Sequence, residues 1–166
     1  MKRALIIGCP GSGKSTFARA LAEITDLPLY HLDMMYWNAD RTQVEKSIFR
    51  ARLDEVLSRD QWIIDGNYRS TMELRLQNAD TVFFLDYPTE VCLSGLRERL
   101  GKPRPDMPWI EQEEDVEFTN YVRSFAGQNR PFILALLEKY PSVPTVVLTD
   151  RAQAEAYLKS ISHKEC

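Results

Sequence analysis

Between Gly8 and Ser15 the chain reads Gly-Cys-Pro-Gly-Ser-Gly-Lys-Ser, and no other stretch narrows the possible folds as far. The run Arg3–Ile7 before it is short, apolar and β-branched at its end, as a strand buried on both faces should be. After it, Phe17, Leu21 and Ile24 recur at spacings of four and three, which predicts an amphipathic helix. A buried strand that turns through glycines straight into a helix belongs to a sheet covered by helices.

The rest of the chain keeps that rhythm. Leu29–Leu32, Trp62–Ile64, Thr81–Leu85 and Thr145–Leu148 read as four further strands. Helical spacing predicts a helix over Gln43–Arg59, burying Ile48, Phe49, Leu53, Val56 and Leu57. Val91, Leu93, Leu96 and Leu100 predict a second, and a third runs from Val116 to Tyr140, kinked or split near Pro131. Asp150 and Gln153 resemble a capping box opening a last helix, Arg151–Ile161. Strands alternating with helices predict an α/β three-layer sandwich, a five-stranded parallel sheet with helices on both faces. The 166 residues suit one domain over 1–166. One segment departs from the pattern: Gly101 to Asp115 holds Pro103, Pro105 and Pro108, which predicts an irregular, mobile lid.

Composition excludes several classes. With 44% hydrophobic and 27% charged residues the chain is ordinary globular material. No apolar run approaches the ~20 residues of a membrane span. The net charge of -3 disfavours gripping nucleic acid by bulk charge. Cys9, Cys92 and Cys166 are widely spaced with no Cys-x-x-Cys pair, which argues against a disulfide framework or a zinc site. The apolar start is shorter than the ~7–15 residues of a secretory core segment, so a reduced, cytoplasmic protein is expected.

Gly8 to Ser15 also matches the P-loop pattern G-x-x-x-x-G-K-[ST]. Gly8, Gly11 and Gly13 let successive backbone N–H groups face a phosphate at the positive end of a helix, with Pro10 and Ser12 completing the expected binding loop. Lys14 then reaches the β- and γ-phosphates, Ser15 ligates Mg²⁺ and Thr16 meets an α-phosphate, so ATP and Mg²⁺ are the expected cofactors. The bland alternative is a glycine-rich turn with an incidental lysine. Cys9, beside a helix N-terminus, is expected to have a lowered thiol pKa without a catalytic part.

Trp62-Ile63-Ile64-Asp65-Gly66-Asn67-Tyr68-Arg69 resembles the Asp-Gly-Phe-Pro-Arg segment of adenylate kinases. That resemblance implies Asp65 as the carboxylate on the Mg²⁺ side and Arg69 as a clamp on an anionic acceptor. Asn67-Tyr68 stands where those kinases have Phe-Pro, which leaves the acceptor open. Asp86, ending the fourth strand, competes with Asp65. With His31-Leu32-Asp33-x-x-x-Trp37, Leu85-Asp86-Tyr87-Pro88 and Arg104-Pro105-Asp106-Met107 included, the chain resembles the topology modulation protein (FlaR-related) family over nearly its full length.

In related kinases that phosphorylate hydroxyls, such as shikimate and gluconate kinases, a carboxylate at the place of Asp33 contacts substrate or assists deprotonation. Asp33 thus points to a hydroxyl acceptor and Arg69 to an anionic one, unless Asp33 is only a turn carboxylate. Trp37 and Tyr36 either stack on a planar substrate or cover the core, and His31 reads as structural. Arg97, Arg99, Lys102 and Arg104 lead into the lid, with Arg97 and Arg99 the first choices to meet transferring phosphate. Arg123 and Arg130 resemble arginines on the far side of such lids. The function expected is an ATP-dependent kinase, adenylate kinase-like, acting on a nucleotide or other small-molecule acceptor, without a membrane partner. An ATP-binding regulator that contacts DNA is the alternative. A GTPase is disfavoured because no Asn-Lys-x-Asp sequence is present.

Overall fold

The computed structural model describes residues 1–162, so Cys166 lies outside the described residues. Five strands, β1 (Arg3–Gly8), β2 (Leu29–His31), β3 (Trp62–Asp65), β4 (Thr81–Leu85) and β5 (Thr145–Leu148), form one sheet in the order β2-β3-β1-β4-β5. All four pairings are parallel. Ala4, Leu5 and Ile6 of β1 are fully buried, as the centre of a sheet covered on both faces demands. The chain leaves β1 towards β2 and β3 on one side, then crosses to β4 and β5 on the other. Such a reversal opens a crevice beyond the carboxyl ends of the central strands. Gly8, His31 and Asp65 all sit at that end.

The helices are α1 (Lys14–Thr25), α2 (Leu32–Tyr36), α3 (Lys46–Leu57), α4 (Arg69–Asn78), α5 (Thr89–Glu98), α6 (Val116–Gln128), α7 (Arg130–Lys139) and α8 (Arg151–Ser162). Three differ from the sequence reading, the first being α2, which carries Leu32–Tyr36 as a helix where none was expected. Helix α3 starts late because Trp37 and Gln43 form an antiparallel bridge that holds residues 38–42 in a turn. Its buried stripe is Phe49, Leu53, Val56 and Leu57, and Ile48, one position off that stripe, is 44% exposed. Helix α4 was not marked by periodicity because its buried face, Thr71, Met72, Arg75 and Leu76, is half polar.

The 116–140 stretch divides at Asn129 into α6 and α7, with Pro131 in the first turn of α7, where a missing N–H costs nothing. At α8, Asp150 accepts from the Gln153 N–H at 2.8 Å, while the Gln153 side chain reaches back to the Thr149 N–H at 2.9 Å. That is a capping box shifted by one residue on its return bond. Residues 101–115 contain no helix or strand. No described helix is long and apolar enough to cross a membrane.

Candidate active site

The phosphate loop is built from backbone. Gly11 has φ +84°, and a Cβ there would stand 2.0 Å from the Cys92 carbonyl oxygen. A Cβ on Gly95 would stand 2.0 Å from the Gly11 carbonyl oxygen. The loop therefore rests directly on the backbone of α5, and only glycine at both positions permits it. Gly13, at φ +89°, turns the chain into α1. The Ser12 N–H donates to the Cys9 carbonyl at 3.1 Å, closing the loop. Lys14 folds back over it and donates to the same carbonyl at 3.2 Å.

Burial pulls the Lys14 pKa down, and the nearby Asp65 and Asp33 charges oppose that pull. The Ser12 Oγ is buried without a hydrogen-bond partner. A loop of bare backbone, a hydroxyl unmatched among the described residues and a lysine folded over the loop fit a bound nucleotide phosphate. Cys9 and Cys92 are both buried and free. Hydrogen bonding with Cys92 and burial push the Cys9 thiol pKa up, so the lowering expected from the helix N-terminus loses to its surroundings.

Beside the loop, parallel register sets His31 opposite Asp65, and their side chains meet at 2.6 Å (Nδ1 to Oδ2). Asn67 carries the strand pairing past the end of β3 with its side chain. Its Oδ1 accepts from the Gly8 N–H at 3.1 Å and its Nδ2 donates to the Gly8 carbonyl at 2.7 Å. Gly8 thus lies beneath Asn67 rather than on the cleft wall. The Tyr68 hydroxyl donates to Asp33 Oδ1 at 2.5 Å. Burial raises the Asp33 pKa, Asp65 and Asp106 add to the rise, and the Tyr68 bond and Lys14 oppose it. Arg75, fully buried, donates to the carbonyls of Gly66, Asn67 and Tyr68.

A cleft of about 1410 Å³ runs from Pro10 through Thr16 to the lid and contains Asp33, Trp37, Asp65, Arg69, Arg97 and Arg99 on its walls. Ser15 lies in the first turn of α1, half-buried, and Thr16 is exposed and accepts from Arg19 at 3.3 Å. Two of the arginines expected at a lid, Arg99 and Arg104, are already paired. Arg99 meets Glu111 at 2.8 Å, and Arg104 meets Asp106 at 3.5 Å and Glu111 at 3.7 Å. Arg19 of α1 reaches the buried Asp106 at 3.6 Å. Arg97 is exposed at the end of α5. Trp37 packs edge-on against Trp109 of the lid, ring centres 5.5 Å apart, with Arg41 over Trp109. Arg69 lies 4.1 Å above the Phe132 ring.

Besides Gly8, two expected residues are not brought to the cleft. Arg130 binds Asp86 through both carboxylate oxygens, at 2.8 and 2.9 Å, outside it. Opposite charges on β4's end and α7 satisfy each other there. Arg123 is exposed and bonds Asn120, one turn away on the same helix. The sequence reading missed Arg75, Arg41 and Trp109 as site residues. The inward-facing polar pair Thr71 and Arg75, four residues apart between two strands, was the signal for the first.

Among the described residues no three His, Cys, Asp or Glu side chains gather as a metal cage. Mg²⁺ requires none, since it is commonly held by one or two protein groups and substrate phosphates. Ser15 and Asp65, both on the cleft wall beside the phosphate loop, suit that arrangement.

The parallel sheet in this strand order, with a glycine cradle at the end of β1, defines the fold of small P-loop kinases. Comparison with solved structures agrees. Shikimate kinase from Bacteroides thetaiotaomicron aligns with a TM-score of 0.62 at 19% identity, over 99% of this chain and 98% of its own. Shikimate kinase from Acinetobacter baumannii, in complex with shikimate, gives 0.62 and 18% over 99% and 93%. A gluconokinase from Sinorhizobium meliloti 1021 gives 0.56 and 17% over 99% and 95%. At these identities the likeness establishes the fold. No protein-family model matches the sequence, and no curated protein matches it. The resemblance to the topology modulation protein family gains no support from these comparisons.

Proposed function

We propose that this chain is a kinase that transfers the γ-phosphoryl group of ATP to a hydroxyl of a small molecule. The observation that carries the reading is the convergence of Lys14, Asp65 and Asp33 on one cleft, with the Asp33 pKa raised and one of its oxygens held by Tyr68. A phosphate acceptor is already anionic and needs no base, whereas an alcohol must lose a proton as it attacks.

In this scheme Gly11 and Gly13 present N–H groups to the phosphates, Ser12 offers its unmatched hydroxyl, and Lys14 offsets charge building on the β–γ bridge. Ser15 and Asp65 are the side chains that would hold Mg²⁺, whose charge offsets that of the phosphates. The acceptor hydroxyl gives its proton to the free oxygen of Asp33. Its oxygen bonds to the γ-phosphorus as the bond from that phosphorus to the bridging oxygen breaks, and ADP leaves with the electron pair. Arg69, held on the Phe132 ring rather than by a carboxylate, supplies a positive charge for any anionic group of the acceptor.

The test is ADP release with ATP·Mg²⁺ against a panel of small alcohols, sugar acids, nucleosides and nucleoside monophosphates, with and without DNA. Turnover with a hydroxyl compound, lost in Asp33→Asn, is expected. Turnover with monophosphates that survives Asp33→Asn overturns the hydroxyl reading. Stimulation by DNA alone returns the chain to the regulatory alternative.

A further inference from the structure

Tyr68 is held in a conformation that its side chain resists. Its φ of +34° and ψ of 76° lie in the left-handed region, which a bulky aromatic residue rarely enters. Strain of this kind persists only where the surroundings enforce it. Arg75 does so. Its Nη1 donates to the Gly66 carbonyl at 2.8 Å, and its Nη2 donates to the carbonyls of Asn67 and of Tyr68, the latter at 3.2 Å. Nε adds a bond to Thr71 at 3.3 Å. This guanidinium is fully buried; burial pulls its pKa down to about 9, the Asp65 charge opposes that pull, and among the described residues no carboxylate lies within ion-pair distance of it. Burying an unpaired cation is costly, and a methionine or leucine would fill the same space on α4 without that cost. Three converging carbonyls are what the cation answers.

The far end of the same residue reaches the reacting side of the cleft. The Tyr68 ring packs against Tyr36 and Phe49, at 4.9 and 5.3 Å between centres, and its hydroxyl donates to Asp33 Oδ1. Asp33 needs outside support, because it rides on α2, a helix of 5 residues that cannot hold itself rigid. Oδ2 of Asp33 makes no side-chain or backbone hydrogen bond among the described residues, so it is the oxygen left for the cleft.

We propose that Tyr68 is a positioning residue for Asp33 and that buried Arg75 is the strut that keeps Tyr68 in place. This rests on the kinase reading for its effect on turnover, and stands apart from it for its effect on Asp33 itself. The charged and titratable groups that face Asp33 are Tyr68, Asp65, Lys14 and Asp106. Of these, the Tyr68 hydroxyl and Lys14 favour the carboxylate, and the two aspartates oppose it. Removing the hydroxyl therefore raises the Asp33 pKa further.

Two readouts test this. In substrate-free protein, the carboxyl carbon of Asp33 is titrated by ¹³C NMR in wild type and in Tyr68→Phe. The midpoint moves to higher pH in the variant, while the melting temperature changes by a few degrees at most. In turnover, Tyr68→Phe lowers kcat roughly 10- to 100-fold, the scale of a misplaced reacting group, with the KM for ATP within about twofold. The acid limb of its kcat profile shifts to higher pH with the NMR midpoint. Arg75→Lys keeps the charge but spans fewer carbonyls, and it produces a smaller shift in the same direction. If Arg75→Lys does not fold, Arg75→Met, which fills the same space, takes its place, and an unmoved Asp33 midpoint in a folded Arg75 variant removes the strut. An unmoved NMR midpoint together with an unmoved acid limb overturns the proposal. A moved midpoint in a protein that phosphorylates no hydroxyl compound overturns the kinase reading and leaves the strut standing.

Discussion

The two ends of the cleft are made differently. At the nucleotide end the walls are main chain: glycine carbonyls and N–H groups, pressed against the backbone of α5. At the end we propose for the acceptor they are side chains from scattered elements, Asp33 from α2, Tyr68 from the turn after β3, Trp109 from the 101–115 segment. A main-chain site tolerates only residues that leave the backbone bare, so its sequence is nearly forced. A side-chain site is held by contacts between distant positions and is free to change with its ligand. The first kind serves what many proteins share, a phosphate. The second serves what distinguishes them.

Four substitutions sharpen or break that contrast. Lys14→Ala has the largest expected effect, roughly 10³-fold or more in kcat/KM, because charge on the transferring phosphates is left unmatched. Its far-ultraviolet dichroism and melting curve stay those of wild type, since Lys14 makes one bond to a carbonyl and no ion pair. Turnover near normal in that folded variant would remove the phosphate assignment of the loop. Asp33→Asn comes next, at roughly 10²-fold in kcat, with ATP affinity measured by calorimetry unchanged. An equal loss in ATP binding would mean that the two ends are not separate.

Gly95→Ala follows. Its methyl meets the Gly11 carbonyl, and the strain costs about 1–3 kcal/mol in a denaturant titration, with ATP binding weakened in parallel. A variant as stable as wild type would show that the loop does not rest on α5. Glu111→Gln is the smallest. Freeing Arg99 and Arg104 from a partly buried carboxylate tightens ATP about two- to threefold at low salt, and less at high salt. A weaker rather than tighter complex would show that Glu111 organises the lid for the nucleotide.

The same contrast explains what the sequence revealed. All five strands were legible as short apolar runs between helical patterns, β1, β3 and β4 because they are buried and the edge strands β2 and β5 by their runs alone. The phosphate loop was legible because its pattern lies within eight consecutive residues. Asp33 was found by its place just beyond β2, where such folds gather ligands, and Asp65 through the resemblance of its segment to Asp-Gly-Phe-Pro-Arg of adenylate kinases. Their partners were not. Tyr68 stood out only as a departure from Phe-Pro, and its bond to Asp33 spans 35 positions. Arg130 was assigned to the lid because a charge on a helix shows its sign in sequence but not its partner, here Asp86, 44 positions away. Arg75 was hidden by its own helix. A face that buries threonine and arginine has no apolar period to read.

Gly11 against Gly95 has a mechanical side. Where two backbones touch with no side chain between them, no rotamer change can absorb a slide, so α5 is pinned along its axis close to its final turn. Arg97 and Arg99 follow that pin by two and four residues, and Gly101, at φ +70°, comes after them. Sliding along the helix axis is thereby closed to the residues beyond the pin. A movement of the segment that follows would have to turn about this point, and the backbone of Arg97, nearest to it, would move less than that of the residues further on.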